Sequence, residues 1–142
     1  MKIDELHKRL TELHIPEWKY YLQGLYGSTD DEGKISLSIH KGQYSTEYKT
    51  YYKERGEKSF ERLFLNEDEA CEEVYKKLIY EWLLLKMNHV YGLSGMTINE
   101  RLYSSGLIKE FDQFQNDKVI IKQILKLLKV DRESIDKIIK RE

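Results

Sequence analysis

A chain of 142 residues has the length of one ordinary domain and can bury a continuous core without disulfides or a metal. Its 40% hydrophobic and 35% charged residues fit a folding sequence, and 24 basic against 25 acidic residues leave a formal charge of -1, which excludes disorder driven by net charge and the basic footprint of a direct nucleic-acid binder. The lone Cys71 excludes an intramolecular disulfide, residues 1–10 lack the apolar centre of a signal peptide, and the run Leu83-Leu84-Leu85 is far too short to span a bilayer, so a cytoplasmic protein with no membrane contact is expected.

Residues 2–13 place Ile3, Leu6, Leu10 and Leu13 three or four apart, which predicts an amphipathic helix. Pro16 disfavours helical backbone at Ile15 and should stop it near His14. The aromatic run Trp18, Tyr20, Tyr21, Leu22 reads as a first strand. Residues 27–33 (GSTDDEG) read as an exposed acidic loop, because glycine accepts positive φ and aspartate bonds its own backbone. Ile35, Leu37 and Ile39 alternate with polar residues, the period of a half-buried strand. In the next strand, residues 43–53, Tyr44, Thr46, Tyr48, Thr50 and Tyr52 share one face and Tyr51 lies on the other. Gly56 in Glu54-Arg55-Gly56-Glu57-Lys58 is the natural reversal into a further strand at residues 59–65.

Asn66 can cap the following helix, with Glu69 placed to complete a capping box. Cys71, Val74, Tyr75, Leu78, Ile79, Trp82 and Leu85 then recur at helical spacing as one apolar stripe. After Gly92 and Gly95 come further helices: residues 97–103 with a Thr97/Glu100 capping box and a stop at Ser104-Ser105-Gly106, residues 118–129, and residues 131–141. The expected fold is therefore α+β: an antiparallel meander of about four strands packed against a long helix, with additional C-terminal helices. A single domain over 1–142 is expected, with an α+β core at 1–95 and a helical extension at 96–142 packed on it.

No linear motif carries chemistry. His7, His14, His40 and His89 are scattered without metal-ligand spacing, and there is no nucleophile elbow or phosphate-cradling glycine loop. No catalytic residue, metal or cofactor is assigned, and an enzyme is not expected. Cys71 lies on the apolar stripe among Glu67, Asp68, Glu69, Glu72 and Glu73, which oppose a thiolate. The tyrosines are read first as core or cross-strand packing and only second as partner contacts. The Glu54-Arg55-Gly56 corner reads either as a plain hairpin turn or as a charged corner offered to a partner.

The segment Tyr51-Tyr52-Lys53-Glu54-Arg55-Gly56-Glu57-Lys58, followed by Phe64 and then Asn66-Glu67-Asp68-Glu69-Ala70-Cys71-Glu72, resembles the strand-turn-strand-helix core of small bacterial immunity proteins of polymorphic toxin systems. The resemblance covers residues 44–82 and does not extend to the helical tail. It implies an antitoxin that binds a cognate secreted toxin one-to-one and blocks its active site without chemistry of its own. Many such toxins are nucleases with basic clefts, so acidic patches would serve as mimics of phosphate. On that reading the partner-binding residues are Asp30, Asp31 and Glu32 in the loop and Glu54, Arg55 and Glu57 at the corner. The alternatives are an oligomerising adaptor using its apolar C-terminal helices, and a small-ligand protein or enzyme whose site is assembled from distant residues.

Overall fold

The computed structural model describes residues 1–140; the expected helix end at Arg141 lies outside the described residues. Internal contacts divide the chain into two compact units, the first Met1–Leu78 and the second beginning at Ile79. The dividing point lies inside one long helix, α2 (Glu67–Lys86).

The first unit opens with α1 (Ile3–Glu12), which buries Ile3, Leu6 and Leu10. The helix ends as Pro16 requires. Ile15 donates its N–H to Leu10 and His14 to Thr11, both at 3.0 Å, with His14 itself at φ +59°; this is the left-handed cap that closes many helices. Trp18 is not in a strand. It sits two-thirds exposed in a short 3-10 turn, and the chain becomes extended only at β1 (Tyr20–Leu22).

Four more strands follow: β2 (Tyr26–Gly27), β3 (Ile35–Lys41), β4 (Thr46–Glu54) and β5 (Glu57–Phe64), in the spatial order β2-β1-β3-β4-β5. The expected meander is β3-β4-β5, antiparallel throughout. The sheet as a whole is mixed, because β1 runs parallel to β3 and adds β2 outside it. Gly27, at φ +78°, cannot carry a side chain there: a Cβ would stand 2.5 Å from the Tyr20 carbonyl oxygen. Gln23 prolongs the β1–β3 contact by its side chain. Its amide accepts the Ile39 N–H at 2.6 Å and donates to the Ile39 carbonyl at 3.1 Å, standing in for a strand peptide.

One sheet face carries Tyr20, Leu22, Ile35, Leu37 and Thr50, all buried. Helices cover this face: His7 of α1 bonds the Tyr20 hydroxyl at 3.2 Å, and Arg62 of β5 pairs with Glu73 of α2 at 2.9 Å. Asn66 caps α2 as expected, its Oδ1 accepting from the N–H groups of Asp68 and Glu69. Within the first unit α2 buries Ala70, Cys71, Val74, Tyr75 and Leu78. The tyrosines of β4 keep the two faces read from the sequence, except that Tyr44 lies outside the strand. Tyr44 precedes the strand and is 92% exposed, Tyr48 and Tyr52 are half-buried, and Tyr51 on the opposite face is the one at 3%.

The second unit takes Ile79 and Leu83 from the end of α2, followed by α3 (Ile98–Ser105), α4 (Ile108–Gln113), α5 (Lys118–Leu127) and α6 (Arg132–Lys140). The helix α4 was not foreseen. Leu85, expected on the stripe, is 74% exposed, and Leu83 takes the buried place. Trp82 is half-buried, edge-on to Phe114 at 5.7 Å between centroids. Thr97 and Glu100 form the expected capping box, and Gly106 ends α3 at φ +77°. Leu102, Leu107, Ile120, Ile124, Leu128 and Ile135 supply the core. Arg101 donates to the Leu128 and Lys129 carbonyls at 3.1 and 3.2 Å and so satisfies orphan acceptors at the end of α5. No helix of the described residues is long and apolar enough to cross a membrane.

Candidate functional site

The two suspected partner-binding segments, far apart in sequence, are neighbours in the first unit. Arg55 (φ +53°) and Gly56 (φ +79°) form the two central residues of a hairpin turn closed by the facing pair Glu54 and Glu57. Two successive positive φ values give the turn whose twist matches that of the strands, and Gly56 adopts it without strain. The acidic loop packs against this corner. Glu32 bridges to Lys53, Gly33 donates its N–H to the Lys53 carbonyl at 2.6 Å, and the Glu32 carboxylate accepts the Gly56 N–H at 3.2 and 3.3 Å.

Each loop acid has work inside the chain. Asp30 accepts from Lys34 Nζ at 2.9 Å and from the Glu32 N–H at 3.1 Å. The ammonium of Lys34, and then the backbone donor, hold its carboxyl below the usual range. Asp31 accepts from the Tyr51 hydroxyl at 2.7 Å and from Lys53 Nζ at 3.3 Å. The Tyr51 bond is the main reason its carboxyl is also depressed. Burial, and next the bond to Asp31, push the Tyr51 hydroxyl above its ordinary value, so it stays protonated as the donor. Lys58 lies over the Tyr51 ring, 4.5 Å from its centroid, which is cation–π range.

These contacts resolve one of two awkward cross-strand pairs. Lys53 faces Lys58 and Glu54 faces Glu57, and like charges directly opposite destabilise a hairpin. Asp31 neutralises Lys53 and the Tyr51 ring takes Lys58. Glu54 and Glu57 have no such relief: with Arg55 between them, their side chains are exposed and make no hydrogen bond or ion pair among the described residues. The structure thus separates the six suspected residues into two sets. Asp31 and Glu32 brace the corner and Asp30 holds the loop itself through Lys34 and the Glu32 N–H, while Glu54, Arg55 and Glu57 form an uncommitted charged tip.

Sequence reasoning missed the apolar part of this surface. Beyond the tip, β5 is the sheet edge and is exposed over all but its last residue. Phe60, Leu63 and the following Leu65 are 76%, 54% and 72% exposed. The register against β4 slips by one residue between Tyr52–Ser59 and Thr50–Arg62, so Phe60 and Glu61 together oppose Tyr51. Phe60 sits at φ +56° in this bulge, a conformation uncommon for a bulky residue. No sequence pattern announces the bulge, since Phe60 alternates normally with its neighbours.

Other reactive groups are quiet. Burial, and after it the charge of Glu67, push the Cys71 thiol up to about 12, so it is a thiol at neutral pH. Among the described residues, no three His, Cys, Asp or Glu side chains gather to hold a metal ion. No family model matches the chain, and no significant match to a curated protein or a solved structure was found.

Proposed function

We propose that this protein acts by binding another protein, as an immunity protein that neutralises a cognate toxin one-to-one, and that the β4–β5 corner is its contact. One observation carries the reading: Glu54, Arg55 and Glu57 stand exposed and unpaired on a turn that Glu32 and Asp31 hold in place. A preorganised tip loses little freedom on docking, so its charges contribute to affinity rather than to ordering cost. Arginine flanked by acids suits a partner surface of mixed charge, and rim charges of this kind raise association rates and select the partner. The apolar Phe60 beside the tip adds contact area of the type found at interface centres. The resemblance of residues 44–82 to immunity proteins supplies the partner class: a toxin made by the same cell, such as a nuclease with a basic cleft, facing the two glutamates.

The test is co-expression with the product of the adjacent gene. Rescue of growth and a one-to-one complex are expected. Glu54→Lys with Glu57→Lys should keep the fold, because neither side chain has an internal partner, and should slow association at least tenfold at low salt. Unchanged association would remove the corner from the interface, and absence of any complex would remove the immunity reading.

A further inference from the structure

Among the described residues, five other than glycine have positive φ: His14, Gln23, Arg55, Phe60 and Lys129. Three have a structural account. His14 and Lys129 close α1 and α5, with the next residue in each case donating back to a carbonyl five positions earlier at 3.0 Å, and Gln23 gives its side-chain amide to Ile39. Arg55 and Phe60 have no such account, and both lie on the β4–β5 hairpin. The turn at Arg55-Gly56 requires positive φ at its two central positions, which asparagine, aspartate and glycine adopt most readily. Arginine meets there the close approach of Cβ to a carbonyl oxygen that disfavours this region. Nothing inside the chain offsets it: the Arg55 side chain is exposed and makes no hydrogen bond or ion pair among the described residues, not even with the neighbouring Glu54 or Glu57. Phe60, 76% exposed at φ +56° in the β5 bulge, repeats the pattern. A residue type held against its local preference, with its functional group turned to solvent, marks a binding position more than a turn.

We infer that Arg55 is the specificity-determining anchor of the corner and seats its guanidinium on a carboxylate of the partner protein, an inference that rests on the immunity reading above. The planar fork of arginine matches a carboxylate through two parallel N–H donors. The flanking acids decide what surrounds that carboxylate. Glu54 and Glu57 face each other across the turn, and two glutamates against one arginine leave the tip at a formal charge of -1. A nucleic acid or an anionic lipid surface presents an unbroken run of negative charge and is repelled by that pair. A protein can present one carboxylate between cationic groups, and each charge of the tip then meets its opposite. The complementary surface is therefore acidic at its centre and basic around it. The Glu32 carboxylate accepts the Gly56 N–H at 3.2 and 3.3 Å, so the guanidinium is carried on a turn that is already held and that loses little freedom on docking.

Two variants of the full chain test this, with the product of the adjacent gene as the probe. Arg55→Lys keeps the charge and loses the fork, and its affinity in a calorimetric titration should fall at least about tenfold. Arg55→Asn loses both and should fall at least about a hundredfold. In the free chain the same Arg55→Asn should raise the urea midpoint, because asparagine accepts the left-handed region; the comparison is made in about 1 M sodium chloride, which screens the neighbouring glutamates. Wild-type affinity in Arg55→Lys would reduce the contact to a point charge and overturn the carboxylate assignment. Wild-type affinity in Arg55→Asn, while Glu54→Lys with Glu57→Lys still slows association, would overturn Arg55 as the anchor and leave the corner as the interface. An unchanged or lower midpoint for Arg55→Asn would remove the strain on which the inference stands. A wild-type chain that forms no complex would remove the immunity reading and this inference with it.

Discussion

Removing the Asp31 carboxylate should destabilise the first unit through one identifiable group, the Tyr51 hydroxyl. Tyr51 is 3% exposed and its hydroxyl donates to Asp31 at 2.7 Å. In Asp31→Ala that buried donor loses its acceptor, which costs about 1–3 kcal/mol. The Lys53 pair at 3.3 Å, with side chains 28% and 22% exposed, adds less than about 1 kcal/mol. A total of about 2–3 kcal/mol is expected, and a much smaller effect for Asp30→Ala, whose partners lie at the exposed surface. Urea unfolding followed by circular dichroism measures both, and a double-mutant cycle with Tyr51→Phe isolates the hydroxyl. The cycle should return a coupling of about 1 kcal/mol or more. The pH dependence has a definite sign. The Asp31 carboxyl is depressed in the folded chain, so its contribution is fully present above the ordinary carboxylate value near 3.9 and fades as pH falls through the lower folded value. The gap between wild type and Asp31→Asn should therefore close in acid. A coupling indistinguishable from zero, or equal costs for Asp30→Ala and Asp31→Ala, would refute the bracing role given to this loop.

Two further outcomes test the packing. Thr50 turns its hydroxyl into the helix-covered face, where Oγ1 is buried with no hydrogen-bond partner among the described residues. Thr50→Val should therefore raise stability by about 1 kcal/mol, seen as a higher urea midpoint, and a lower midpoint would mean that the hydroxyl is satisfied. In α2, Leu83→Ala should cost about 2–5 kcal/mol while Leu85→Ala stays within about 0.5 kcal/mol; similar costs for the two would contradict the burial of Leu83 and exposure of Leu85.

Where the sequence read correctly, the controlling physics is local. Pro16 ends α1, Asn66 and Thr97 cap their helices, Gly56 reverses the hairpin and Gly106 closes α3. Each is a backbone preference or a hydrogen bond within a few residues, so the residue type and its spacing suffice to predict it. The stripe on α2 was legible for the same reason as far as Ile79. Past that point the buried face rotates from Leu85 to Leu83, because burial depends on which elements surround the helix, and those belong to the second unit.

What the chain by itself determined is the α+β class, the order of its longer strands and helices without β2 and α4, and the exposed charged turn at Glu54-Arg55-Gly56-Glu57. Tertiary structure decided the rest. The parallel pairing of β1 with β3 joins strands that are not consecutive in the chain and is prolonged by a side-chain amide, Gln23, meeting Ile39. The bulge at Phe60 depends on how β5 is held to β4. Above all, the six charged residues that looked equivalent in sequence are not: contacts reaching 20 to 24 positions along the chain, from Asp31 to Tyr51 and from Glu32 to Gly56, engage the loop acids in supporting the turn. Charge composition shows that carboxylates are present, but only the fold determines which of them already have a partner and which remain free for one.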